Sequence, residues 1–193
     1  MTAIAAVRKD DVIYMCADSQ TSFGTGKTNY LGGINNKIHV LNGDTLFAGT
    51  GGVREIQTII SHPEWFDFDR EEGLTKGAII NTCTKIFDYF KDNELFKNKP
   101  DELPTINASI LIAWKDRLFE ICEDLMVLEY RTMQTIGCGD SYMIYAMTHI
   151  DLDGDIERQL VDACKISERF TDGVSAPYIL VNTRDLEVKV VED

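Results

Sequence analysis

The chain has no apolar run approaching the roughly 20 residues a bilayer-spanning helix needs, no paired-cysteine motif, no internal repeat and little positive charge. Each absence excludes something. Without a long apolar run there is no membrane-spanning helix to expect. The opening MTAIAAVRKDDVIYMCADSQ carries only a short apolar stretch with no basic leader ahead of it, unlike a secretory signal. Without a CxxC spacing a structural zinc site has no ligand set, and no metal is expected. The five cysteines (Cys16, Cys83, Cys122, Cys138 and Cys164) are scattered, odd in number and mostly set in apolar runs. They read as reduced, buried thiols of a cytoplasmic protein. Lys and Arg total 19 against 32 for Asp and Glu, a formal charge of −13. Such a surface repels phosphate backbones and anionic membranes, so neither nucleic acid nor a membrane is an expected partner.

What is present is enough apolar material, 44% of 193 residues, for one sizeable core, and residues 1–193 read as a single domain. Short strand-like runs occupy 3–7 and 12–17 around a Lys9-Asp10-Asp11 turn, then 37–41 and 45–48 around Asn42-Gly43-Asp44. Residues 19–33, rich in Gly, Ser, Thr and Asn, read as a loop or distorted hairpin. Thr50-Gly51-Gly52 opens a helix with Val53, Ile56 and Ile60 at helical spacing, and Ile79, Cys83, Ile86, Phe87 and Phe90 mark a second one. Residues 62–73 read as a connecting loop and 93–104 as a linker. Strands follow at 108–114, 117–122, 125–130 and 133–136, helices at 140–150 and 155–170, and strands at 178–181 and 186–191. Helices arriving in pairs disfavour a doubly wound parallel sheet. The pattern predicts an α+β fold, a four-layer αββα sandwich of two antiparallel sheets with helices outside.

Three motifs fail on inspection. Gly26-Lys27-Thr28 resembles the tail of a phosphate-binding loop, but Thr21 stands where the first glycine belongs and no helix follows. Asp151, Asp153 and Asp155 alternate like a calcium loop, yet the glycine sits at 154 and residue 162 is Asp; an acidic helix start explains them equally well. His39, His62 and His149 have no neighbouring Ser or Cys elbow, so a conventional triad has no support.

The second residue offers different chemistry. With Met1 removed, Thr2 carries a hydroxyl and a free amine, and an α-amine titrates at about 7.7–8.0, close to working pH. The amine takes the hydroxyl proton directly or through one water, with no histidine needed. Alone, an N-terminal Thr means little. Its surroundings add to it: TAIAAVRKDDVIYMCADSQTS resembles the start of the bacterial peptidase subunit HslV and of proteasome β subunits, the N-terminal-nucleophile hydrolases of proteasome type. GGINNKIHVL, FAGTGGVRE, IGCGDSYMIYAM and FTDGVSAPYILV match later family features in order.

The resemblance implies a threonine endopeptidase of polypeptide substrates. It would form homo-oligomeric stacked rings, with an ATP-dependent unfoldase as partner and no cofactor of its own. By the same match Thr2 is the nucleophile. Lys37 is the cation beside its amine, depressing the amine's pKa. Asp18 pairs with and orients Lys37, and Gly49 supplies the oxyanion N–H, with Gly51 as second choice. Cys138 stands at the family's serine, and Asp172 and Ser175 hold the amine. Thr21, Asn35, Phe47 and Gly51 would line the substrate pocket. Taken one by one, these features have plainer explanations. Asp18 and Lys37 read equally as a surface ion pair worth about 0–1 kcal/mol, Gly49 to Gly52 as a tight turn, and Asp172 as a cap.

The chain departs from the family at Ala3, at Ser19, in the length of the stretch from Asp18 to Lys37, and at Cys138, whose thiol is a weaker hydrogen-bonding group than a hydroxyl. Two other functions fit the same residues: a non-catalytic subunit of the same fold that keeps Met1, and an amidase of small molecules using the same threonine chemistry.

Overall fold

The structure, a computed structural model, describes residues 2–23, 26–29, 36–96 and 104–192. The chain runs β1 (Ala3–Lys9), β2 (Val12–Asp18), β3 (Gln20–Phe23), β4 (Gly26–Asn29), β5 (Ile38–Leu41), β6 (Thr45–Gly51), α1 (Val53–Ile60), a 3₁₀ turn (Pro63–Phe66) and α2 (Lys76–Asp92). It continues with β7 (Ala108–Trp114), β8 (Arg117–Ile121), β9 (Val127–Tyr130), β10 (Met133–Gly137), α3 (Asp140–Met147), α4 (Ile156–Phe170), β11 (Tyr178–Asn182) and β12 (Lys189–Val191). One five-stranded sheet has the order β10-β1-β2-β11-β12 and the other β5-β6-β7-β8-β9; β3 and β4 pair as a separate ribbon. All of these pairings are antiparallel.

Three clusters of buried side chains define four layers. Ile4, Ala6, Ile13, Met15, Leu46 and Leu111 fill the space between the sheets. Ala3, Ala5 and Cys16 face the other way, toward Met143, Leu160 and Cys164 of α3 and α4. Phe47, Ile110 and Phe119 face Ile59, Ile79 and Phe90 of α1 and α2. A strand buried on both faces loses its polar alternation, which is why AIAAV reads as an unbroken apolar run. The predicted αββα sandwich is the fold observed.

Several local features differ from expectation. Residues 20–29 include a regular β3–β4 ribbon, so Gly26-Lys27-Thr28 lies in a strand rather than before a helix. The expected loop after α1 holds the 3₁₀ turn, which buries Trp65 and Phe66. β9 and β12 start later than predicted, after Leu125 and Leu186, both in the left-handed backbone region. Asp155 caps α4 by accepting the Arg158 N–H at 3.1 Å. The Asp151 carboxylate accepts the Asp153 N–H at 3.0 Å. These acids are turn and cap residues. Of the cysteines only Cys16, Cys83 and Cys164 are buried; Cys122 is half-buried and Cys138 exposed, which corrects the expectation of uniformly buried thiols. No helix among the described residues is long and apolar enough to cross a membrane.

Candidate active site

The β1–β2 hairpin sets the first contact. Ile4 pairs with Ala17, so Ala3 stands opposite Asp18 at the open end of the hairpin. There the Ala3 N–H donates to Asp18 Oδ1 at 2.8 Å and the Gln20 N–H to Oδ2 at 3.0 Å. Lys37, one residue before β5, donates its Nζ to the same Oδ1 at 2.6 Å. Asp18 is fully buried and the Lys37 side chain is 10% exposed. This is therefore not the solvated surface pair that a plain reading of the sequence allowed. Burial pushes the Asp18 carboxyl above its usual range, against the pull of Lys37 and the two backbone donors. Burial likewise pushes the Lys37 ammonium below its usual range, against the Asp18 charge. Each ion is kept in place by the other, because either one alone would be an uncompensated buried charge.

Thr2 is also buried, at 7% exposure. Its nitrogen donates to Cys138 Sγ at 3.2 Å. Its carbonyl accepts from the Gly139 N–H at 3.2 Å and from the Cys138 thiol at 3.4 Å. The turn that opens α3 thus grips the main chain of Thr2. Glycine is required twice here. Gly137 sits at φ +104, and a Cβ on it would stand 2.2 Å from the Thr2 carbonyl oxygen. A Cβ on Gly139 would stand 2.1 Å from Ser167 Oγ and 2.9 Å from Ala3 Cβ. Ser167, on α4, donates its hydroxyl to the Gly139 carbonyl at 3.1 Å.

The glycines ending β6 divide their work. The Gly49 N–H donates to the Lys37 carbonyl at 3.2 Å, so the first-choice oxyanion donor already has a partner in the sheet. The Gly52 N–H points the other way, to the Asn107 carbonyl at 2.6 Å. Gly51 is exposed at φ +119, and a Cβ on it would meet the Asn107 carbonyl oxygen at 2.2 Å.

The loop between α4 and β11 borders this site. The Asp172 carbonyl accepts from Gln20 Nε2 at 3.1 Å, and the Ser175 carbonyl accepts the Ser19 N–H at 3.4 Å. Thr21 is half-buried at the start of the ribbon that leaves Asp18. Asn35 lies outside the described residues. Phe47 is wholly buried, packed edge-on against Phe66 at 5.8 Å. It belongs to the core under α1 and offers a ligand no surface, which corrects its assignment to a substrate pocket.

Sequence reasoning missed Gln20 and Ser167. A signal for Ser167 existed: it continues the buried stripe of Leu160 and Cys164 as the one hydroxyl on an apolar face. Three buried side-chain oxygens, Ser19 Oγ, Asn36 Oδ1 and Thr171 Oγ1, have no hydrogen-bond partner among the described residues. Each is the chain neighbour of a predicted site residue. Buried polar atoms of this kind call for water or a ligand.

Chemically, the arrangement places a Thr main chain, a buried ammonium–carboxylate pair and the exposed Gly51 at one end of the two sheets. No family model and no curated protein matches the sequence. Solved structures do match the shape. A Thiobacillus denitrificans BPH in complex with epoxomicin superposes with a TM-score of 0.76 at 21% identity, over 96% of this chain and 99% of that one. A eukaryotic HslV from Trypanosoma brucei gives 0.69 at 17% identity, over 93% and 98%. An Anbu (ancestral beta-subunit) from Yersinia bercovieri gives 0.70 at 14% identity, over 99% and 87%. The chain shares the fold of these proteasome-like proteins.

Proposed function

We propose that this protein is a threonine-type endopeptidase, the subunit of a self-compartmentalising proteasome- or HslV-like protease, active once Met1 is removed. The observation that carries the reading is the buried Lys37–Asp18 pair, which shares a carboxylate oxygen with the peptide nitrogen just after Thr2. A buried ion pair is rarely retained for stability, because its desolvation offsets its attraction. A buried cation beside a threonine nucleophile has a chemical purpose.

In this mechanism the freed Thr2 amine, kept neutral by the nearby ammonium, takes the hydroxyl proton as Oγ attacks the peptide carbonyl. The Gly51 N–H donates a hydrogen bond to the developing oxyanion, and loss of such a donor typically costs about 2.7–4 kcal/mol. The protonated amine then gives its proton to the departing amine. Water repeats the sequence on the ester and restores Thr2. Cys138 occupies the amine's immediate surroundings, and Asp172 and Ser175 complete them from the loop before β11. Thr21 and Gly51 border the substrate channel. Homo-oligomeric stacked rings would enclose the site in the cytoplasm, and an ATP-dependent unfoldase would feed it polypeptides.

Intact mass and active-site labelling test the reading together. The expected species lacks Met1, gains the mass of one epoxomicin, and loses both labelling and peptide cleavage on Thr2→Ala, by at least about 10³-fold in rate. Retention of Met1, with neither labelling nor cleavage, rules out the peptidase and leaves a non-catalytic subunit. A cleaving protein that stays monomeric points to an amidase without rings.

A further inference from the structure

Five thiols occur in the chain, and the structure separates them sharply. Cys16 and Cys164 touch each other, with their sulfurs 3.4 Å apart, and both are wholly buried. Their mutual hydrogen bond and burial hold the Cys164 thiol well above its usual pKa, and burial shields both sulfurs from oxidants. Cys138 is the opposite case. It is exposed, and its sulfur lies 3.2 Å from the Thr2 nitrogen. The Lys37 ammonium lies within electrostatic reach of that sulfur. Susceptibility to oxidants follows exposure, which Cys138 has and the buried pair lacks.

We infer that Cys138 and the Thr2 nitrogen form a redox modification site, at which peroxide closes a reversible sulfur–nitrogen bond that switches off the proposed nucleophile. The step balances in two stages. Hydrogen peroxide oxidises the Cys138 thiol to a sulfenic acid and is itself reduced, with one water released. The Thr2 amine then attacks the sulfenic sulfur. The S–N bond forms, the S–O bond breaks, and the hydroxyl leaves as water with a proton from the amine. Sulfenic acids condense with nitrogen in this way when no thiol intercepts them. Two thiol equivalents reverse it, restoring the Cys138 thiol and the free amine and becoming a disulfide. The contact distance favours this partner, since the nitrogen is already seated against the sulfur. A linked nitrogen has lost the position and basicity needed to accept the Thr2 hydroxyl proton. A serine at 138 has no such chemistry, so the cysteine that weakens hydrogen bonding at this position would add control in return.

The inference rests on the proposed function through the free Thr2 amine, and the experiment separates the two. The full-length protein is treated with hydrogen peroxide, then split between peptide mapping, N-terminal amine labelling and a peptide-cleavage assay. The expected result is a Thr2 peptide joined to the Cys138 peptide, two hydrogen masses lighter than the pair, with the amine unreactive and cleavage lowered at least tenfold. Dithiothreitol should restore both. Cys138→Ser should keep its amine reactive and its own untreated rate after peroxide. A protein that lacks Met1 and cleaves peptides, but whose Cys138 ends as sulfinic or sulfonic acid with the amine still labelled, overturns the switch and leaves the peptidase standing. A disulfide from Cys138 to another cysteine overturns it too. Met1 retained before any treatment, with no cleavage, overturns both.

Discussion

The two helix layers of this sandwich are built from different materials. Under α1 and α2 the buried cluster holds Phe47, Trp65, Phe66, Phe90, Trp114 and Phe119. Under α3 and α4 it is made largely of Ala, Val, Cys, Met and Leu, with Tyr178 its one fully buried ring among the described residues. Large rings bury the most area per residue but hold backbones apart; small residues allow backbones to approach. The site lies on the second kind of layer. There, Gly137 and Gly139 bring the start of α3 against Thr2, and Ala3 leaves room for both. The difference suggests a division of labour: the aromatic layer carries stability, and the small-residue layer carries close geometry.

That contrast can be broken by substitution. The largest effect should come from Asp18→Asn, which leaves the Lys37 ammonium buried without its carboxylate. A loss of about 3–5 kcal/mol in denaturant unfolding is expected, along with near-complete loss of peptide cleavage in whatever folds. A stable, active Asp18→Asn protein would show that the pair is not needed. Next, Phe119→Ala in the aromatic layer should cost about 3–5 kcal/mol, while cleavage per folded molecule stays near wild type well below the melting point. An equal loss of activity would mean the two layers are coupled and the division of labour is wrong.

Gly139→Ala should show the reverse pattern. The new methyl meets Ser167 Oγ and Ala3 Cβ, so a smaller stability loss of about 1–3 kcal/mol is expected, but cleavage should fall at least tenfold. Removing the hydroxyl in Gly139→Ala/Ser167→Ala should return part of the activity, which a non-specific folding defect would not do. The smallest effect concerns acid. Burial holds the His39 imidazole below its ordinary pKa of 6.5. Below that value the unfolded chain binds a proton that the folded chain refuses. Stability should therefore fall as pH drops through about 6.5 and below, and His39→Gln should flatten that slope in thermal melts.

Much of this was legible in the chain itself, for reasons that differ from element to element. The runs AIAAV and ILIAW declare strands buried on both faces because burial removes polar alternation. The Ile79, Cys83, Ile86 and Phe90 stripe declares a helix because its spacing is 3.6. Asp18, Lys37 and Cys138 were identified through motif order, and the structure brings all three to the Thr2 end of the sheets. Phe47 was misplaced because alternation along β6 fixes which residues share a face without saying whether that face meets solvent or a helix. Gly49 was preferred over Gly51 because both lie on the same turn, and only the neighbouring strand decides which N–H is already bonded.

By itself the sequence determined what is local: the hairpin turn at Asp10, the acidic start of α4 at Asp155, the glycines before α1 and α3, and the pairing of helices that excludes a parallel sheet. Only the tertiary structure decided that Thr2 meets Cys138, 136 residues away, that one carboxylate serves both Ala3 and Lys37, and that Ser167 reaches Gly139. Periodicity and turn chemistry act over a few residues. Such distant contacts exist only after two sheets and two helix layers have closed, when packing fixes which backbones come within bonding distance.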